Sequence, residues 1–228
     1  YALKNNNHKV EKIFLTASGG PFFNLPLKSF KKIKISQALR HPNWKMGKKI
    51  SIDSATMMNK VFEIIEAKNI FNLDYKKLTI LTHPQSYIHA VIKFENGMTK
   101  IIAHDTNMKV PILNSLYNNQ NKALKTNKLN LNILNNLKFN FVNKRKFPMI
   151  NILKKLPKQN SLFETLIVSA NDEYVALFLK NKIQFVDIYK KLIKFINLAE
   201  FVKLKKIKVK KINDIIKLNN YVRLRINK

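Results

Sequence analysis

The hydrophobic pattern changes period several times along this chain, and each change marks an element. Residues 13–17, Ile-Phe-Leu-Thr-Ala, form a short apolar run that ends in Ser18-Gly19-Gly20-Pro21, the pattern of a strand entering a loop. Residues 19–50 carry three prolines and three glycines without a sustained period, which predicts a long irregular segment. Loops of that length inside a compact domain are usually functional covers, so the segment is expected to act as a flap. From Ser54 to about Ile70, Met57, Val61, Ile64 and Ile65 recur at spacings of three and four, predicting a helix with Asp53 or Ser54 as its N-cap.

Residues 78–82 predict a second strand. Tyr87–Phe94 and Met98–His104 flank Glu95-Asn96-Gly97, a hairpin signal because Asn-Gly suits the positive φ of a type I′ turn. After Pro111 the chain turns Asn- and Lys-rich through about Lys146, the composition of a linker. Beyond Pro148 the stretches Ser161–Lys180, Phe185–Ala199 and Asn213–Ile226 each carry an apolar helical face, predicting a small bundle. The expected class is α+β: a first domain over 1–118 with an open sheet and a flap at about 19–50, a linker over 119–146, and a helical domain over 147–228.

Composition narrows the function classes. A hydrophobic fraction of 46% excludes a fully disordered chain. No run reaches the roughly 18 apolar residues of a membrane span; even Phe185–Leu198 is interrupted by Asp187, Lys190, Lys191 and Lys194. A soluble protein without a signal peptide is expected, and the Tyr1 start leads us to expect residues upstream. Cysteine is absent, which removes disulfides and thiolate chemistry. The net charge of +30 would attract nucleic acid or an anionic membrane surface. Its excess is mostly Lys, accompanied by Asn, Ile and Phe, the set that AT-rich codons encode. It is therefore read as compositional drift and solvated helix faces, with a basic nucleic-acid-binding protein or a decayed inactive fragment as the alternatives.

Several positions carry candidate chemistry. Ser18-Gly19-Gly20 after a strand presents backbone amides and a hydroxyl to an anion, or forms an ordinary turn. Gly47 closes a segment with Trp44 and Met46, a candidate mobile cover. On a helix Asn59 and Glu63 share a face, with Lys60 about 100° round. A helix beginning near Ser54 favours an anion there, which Ser54, Asn59 and Lys60 would bind, while Glu63 offers oxygen to a hard cation. His89, among apolar strand neighbours, reads as a structural histidine, and Met108 as a core or cover residue.

The order of these strings resembles 1-deoxy-D-xylulose 5-phosphate reductoisomerase. Thr-Ala-Ser-Gly-Gly-Pro-Phe (16–22) is followed by His-Pro-Asn-Trp-Lys-Met-Gly-Lys-Lys-Ile-Ser (41–51), then Asp-Ser-Ala-Thr-Met-Met-Asn-Lys (53–60) with Glu63. His-Pro-Gln-Ser (83–86), Ile-His (88–89) and Asn-Met-Lys-Val-Pro-Ile (107–112) continue the series, with a weaker echo at Ser-Ala-Asn-Asp-Glu (169–173). The resemblance implies metal-dependent isomerisation of 1-deoxy-D-xylulose 5-phosphate, followed by NADPH reduction to 2-C-methyl-D-erythritol 4-phosphate in non-mevalonate isoprenoid biosynthesis. It implies phosphate and substrate contacts at Ser18, Ser54, Asn59 and Lys60, and a substrate contact at His41 under a cover of Trp44 and Met46. It further implies a nicotinamide-side position at Gly47, a Mg²⁺ or Mn²⁺ ligand at Glu63, and pocket positions at His89 and Met108. A homodimer in the bacterial cytoplasm, or a plastid-type organelle, goes with it. The family's NADPH-binding domain and its other acidic metal ligands are expected outside these residues, and Thr106-Asn107 departs from the family's Pro-Asp before Met108.

Overall fold

A computed structural model describes residues 3, 8–42, 46–117 and 123–228. In chain order the strands are β1 (Val10–Ala17), β2 (Leu78–Thr82), β3 (Ile88–Phe94), β4 (Thr99–Ala103) and β5 (Asn140–Phe141). The α-helices are α1 (Ile35–Ala38), α2 (Lys48–Thr56), α3 (Met58–Phe71), α4 (Lys109–Leu116), α5 (Leu131–Asn135), α6 (Leu162–Leu179), α7 (Phe185–Ile196), α8 (Ala199–Val202) and α9 (Ile212–Asn227). The class is α+β, as the changes of period predict. The chain forms two compact units, each of two stretches: unit 1 is Tyr1–Gly19 with Lys76–Val142, and unit 2 is Gly20–Tyr75 with Asn143–Lys228. The boundary expected at 118 lies within unit 1, and the helical stretch from 147 lies entirely in unit 2.

Unit 1 is an open five-stranded sheet of order β4-β3-β1-β2-β5. β1 and β2 run parallel, with Ile13 opposite Leu78, whereas β3, β4 and β5 join antiparallel. Parallel neighbours need a long crossover, and here the chain between β1 and β2 is the whole first stretch of unit 2. Ile13, Ile80, Ile88, Ile92 and Phe94 are buried. The β3–β4 hairpin forms where Asn96-Gly97 predicts it, with a different turn. Gly97 alone takes a positive φ, +87°, and its amide donates to the Phe94 carbonyl at 3.0 Å. That geometry is a three-residue loop with its left-handed position at glycine, and not a type I′ turn.

The Asn-rich stretch is tied to the sheet edge. Thr82 Oγ1 donates to the Asn140 carbonyl at 3.1 Å, and Gln85 Nε2 to that of Asn136 at 2.6 Å. His83 is fully buried: its Nδ1 lies 3.0 Å from the Lys138 carbonyl, and its Nε2 accepts from the Tyr87 amide at 3.2 Å. That pattern fits a neutral ring with the proton on Nδ1. Burial lowers its pKa, against a smaller opposite push from the Lys138 carbonyl.

In unit 2, α6 packs on α7 and α9. Ser161 caps α6 by accepting from the Phe163 amide at 3.1 Å, while Glu164 accepts from the Ser161 amide at 3.0 Å. This reciprocal cap satisfies two amides that the helix leaves open. Phe163, Leu166 and Ile167 are fully buried along its inner face.

The segment expected to be irregular from 19 to 50 is largely built. Short 3₁₀ turns at Gly20–Phe22 and Leu27–Lys32 precede α1. Phe22, Phe30 and Ala38 are buried, and Phe22 and Phe30 each pack edge-on or tilted against Phe185 of α7. Aromatic anchoring overrides the absence of a regular period, and among the described residues only 40–42, 46 and 47 stay irregular between α1 and α2. No helix among the described residues is long and apolar enough to cross a membrane.

Candidate active site

The helix expected from Ser54 to Ile70 is two helices. α2 runs to Thr56, Met57 takes a left-handed conformation (φ 65°, ψ 12°), and α3 starts at Met58. Ser54 and Asp53 therefore lie in the last turns of α2, and neither is the N-cap that the sequence pattern suggests. A non-glycine residue in this region costs about 1–2 kcal/mol. Burial offsets that cost, since Met57 is 3% and Met58 0% exposed. Thr56 ties the joint, its hydroxyl donating to the Asp53 carbonyl at 3.2 Å and accepting from the Met58 amide at 3.3 Å. The reversal places a fresh helix N-terminus at Met58, four residues after Ser54. The anion-favouring end is that of α3, and Asn59 and Lys60 occupy its first turn.

Asn59, Lys60 and Glu63 come together on α3. Asn59 Nδ2 donates to Glu63 Oε1 at 2.7 Å, and Lys60 Nζ to Glu63 Oε2 at 2.6 Å. All three side chains are half-buried. An ammonium and an amide thus converge on one carboxylate, a cluster able to exchange that carboxylate for another anion.

Gly20 fits closely against α2. A Cβ on Gly20 would stand 3.0 Å from the Ser54 carbonyl oxygen, and its φ is +63°. Gly20→Ala should destabilise the fold by about 2 kcal/mol, from left-handed strain and displacement of the backbone that carries Ser54. Chemical denaturation of the variant checks this; an unchanged midpoint would show that the loop moves aside at no cost.

The remaining positions are less connected. Ser18 follows β1 and is half-buried. His41 is half-buried, and burial lowers its pKa, so the neutral ring dominates at neutral pH. Met46 is half-buried, and Trp44 lies outside the described residues. Gly47 is the exposed N-cap of α2, and a Cβ there would meet nothing within 4 Å. In unit 1, the His89 ring stacks on His104 with centroids 3.6 Å apart, its Nε2 3.0 Å from the His104 carbonyl. Met108 is the N-cap of α4 and 54% exposed.

One network escaped the sequence reading. Asp53, 1% exposed, pairs with Lys49 at 2.7 Å and accepts from Asn171 Nδ2 of α6 at 2.8 Å. Lys49 also meets Asp172 at 2.7 Å. Burial pushes the Asp53 carboxyl above its ordinary range against the opposing pull of Lys49. The Lys49 ammonium is itself raised: partial burial works against this, but its two carboxylates prevail. Two signals pointed to this network, the i,i+4 spacing of Lys49 and Asp53 and the Ser-Ala-Asn-Asp-Glu string. Among the described residues no group of three or more His, Cys, Asp or Glu side chains could share a metal ion.

Residues 1–71 match the family model for the 1-deoxy-D-xylulose 5-phosphate reductoisomerase C-terminal domain, and residues 104–225 match the DXP reductoisomerase C-terminal domain. The 1-deoxy-D-xylulose 5-phosphate reductoisomerase of Pelagibacter ubique strain HTCC1062 is 57% identical over 229 residues, spanning 100% of this chain and 59% of that protein. The Persephonella marina reductoisomerase is 41% identical over 185 residues, 80% of this chain and 49% of that one. Among solved structures, a DOX-P reductoisomerase in complex with NADPH, fosmidomycin and magnesium matches with TM-score 0.86 and 29% identity, over 96% of this chain and 55% of that chain. The Zymomonas mobilis reductoisomerase in complex with NADPH matches with TM-score 0.85 and 30% identity, over 99% and 56%. The chain thus spans 49–59% of the length of these two curated relatives.

Proposed function

Because this chain belongs to the 1-deoxy-D-xylulose 5-phosphate reductoisomerase family, we propose that it forms the substrate-holding part of that reductoisomerase. The reaction isomerises 1-deoxy-D-xylulose 5-phosphate and reduces the product with NADPH to 2-C-methyl-D-erythritol 4-phosphate. The observation that carries this reading is the Asn59-Lys60-Glu63 cluster in the first turns of α3, the helix that begins four residues after Ser54.

A phosphate dianion is the anion this cluster suits. Lys60 supplies charge, Asn59 and Ser54 supply neutral donors, and the open end of α3 supplies a favourable dipole. Arrival of the phosphate draws Lys60 and Asn59 off Glu63 and frees its carboxylate. His41, neutral through burial, exchanges hydrogen bonds with sugar hydroxyls without adding charge. Met46, half-buried, covers the sugar, while Gly47, with open space around it, admits the nicotinamide. Holding the non-reacting phosphate supplies binding energy that the enzyme uses at the reacting carbons.

The described residues do not make a divalent-cation site. A hard cation wants six or more oxygen ligands, and this cluster offers one carboxylate already bonded to Lys60 and Asn59. A homodimer in the bacterial cytoplasm goes with the same reading.

The test is NADPH oxidation by the full-length protein, with 1-deoxy-D-xylulose 5-phosphate and with the same sugar lacking its phosphate. The phosphorylated sugar should be turned over, and loss of the phosphate should lower kcat/KM by about a thousandfold or more. No oxidation with the phosphorylated sugar, or equal use of both sugars, would end the proposal.

A further inference from the structure

Unit 2 contains a cavity of about 250 Å³ that the proposed chemistry leaves unused. Phe30, Phe147 and Met149 wall it, each at most 6% exposed, and Val186 of α7 closes one side. The hydroxyl of Thr56, also at the wall, is already committed to the Asp53 carbonyl and the Met58 amide. A sealed apolar cavity of about 150 Å³ holds benzene, and this larger, solvent-accessible space with apolar walls has room for an apolar chain.

The rim has the opposite character. Arg145, Lys146 and Lys190 line it. Lys146 Nζ donates to the Phe23 carbonyl at 2.6 Å. Arg145 and Lys190 are exposed, and neither forms an ion pair among the described residues. Apolar walls beneath two unneutralised cations complement a molecule with an aliphatic tail and an anionic head.

We propose that this cavity binds a small aliphatic anion, its tail of about six to eight carbons enclosed and its head against Arg145 and Lys190. Ala55 also lines the cavity. A bound tail therefore braces the last turn of α2, which carries Ser54.

Calorimetric titration of the purified protein with hexanoate, octanoate, octyl phosphate and octanol tests this. The anions should bind one to one, with Kd falling about tenfold from hexanoate to octanoate for the two added methylenes. Octanol should bind about tenfold more weakly than octanoate. The double variant Arg145→Glu, Lys190→Glu, both at exposed positions, should abolish the preference for anions and leave octanol binding unchanged. Val186→Trp, or Leu27→Trp at a more exposed lining position, should fill the space and remove binding of all four. A stronger response to either head group supports the site and identifies its ligand class. Absence of saturable binding, octanol binding as tightly as octanoate, or octanoate binding that survives both filling variants would overturn the proposal.

Discussion

Replacing Lys60 with alanine should lower kcat/KM for the phosphorylated sugar about a hundredfold in the full-length enzyme, with most of the loss in KM. A hydrogen bond between charged partners contributes about 1.5–3 kcal/mol when one partner is removed. Lys60 also neutralises Glu63 at 2.6 Å. Without the ammonium, an unpaired carboxylate would face the incoming dianion, which places the effect at the upper end of that range. Lys60→Arg keeps the charge but changes its shape, and should recover part of the loss. A Lys60→Ala enzyme with unaltered KM would show that the phosphate lies elsewhere.

The second large effect concerns stability. Lys49→Ala should cost about 2–3 kcal/mol at neutral pH, because it strips the cation from the buried Asp53 and from Asp172. The effect falls below the roughly 3–5 kcal/mol of a fully buried pair because the Lys49 side chain is 43% exposed and screened by solvent. The pH dependence has a definite sign. Burial already raises the folded-state pKa of Asp53, and losing Lys49 raises it further. A raised carboxyl favours the folded state below the unfolded value, about 3.9, and that contribution is lost as pH rises through the folded value. The penalty should therefore be larger at pH 7.5 than at pH 4.5, read from urea midpoints of variant and parent. Equal penalties at both would mean that Asp53 does not change its ionisation over that span.

These expectations rest on features of unequal visibility in the sequence. Helix α6 was legible because its apolar positions recur at helical spacing and Ser161 with Glu164 spells a capping box. The hairpin was legible through Gly97, although its turn needs only one left-handed residue. The break between α2 and α3 was not. Met57 is neither glycine nor proline, so its residue type gives no sign of a left-handed turn; burial and the hydrogen bonds of Thr56 hold it there. The same holds for β5, where two residues pair with β2 while Phe141 stays 77% exposed, leaving no apolar alternation to detect. Asp53 and Asn171 meet across 118 positions of chain, a distance no spacing rule reaches. Of the candidate site, the Asn59, Lys60 and Glu63 grouping followed from helical geometry alone. The placement of Ser54 at a helix end, and not a helix start, required the tertiary structure.

The interleaving of the two units has a consequence for biosynthesis. Residues 20–75 leave the ribosome before the segment that supplies α6 and the rest of unit 2. Roughly seventy residues intervene, about 4 to 14 s of translation at 5–20 residues per second. Throughout that interval Ile52, Met58 and Ile64, buried in the finished protein, wait without the helices that complete their unit. Slowing elongation across the Asn-rich stretch would prolong that exposure.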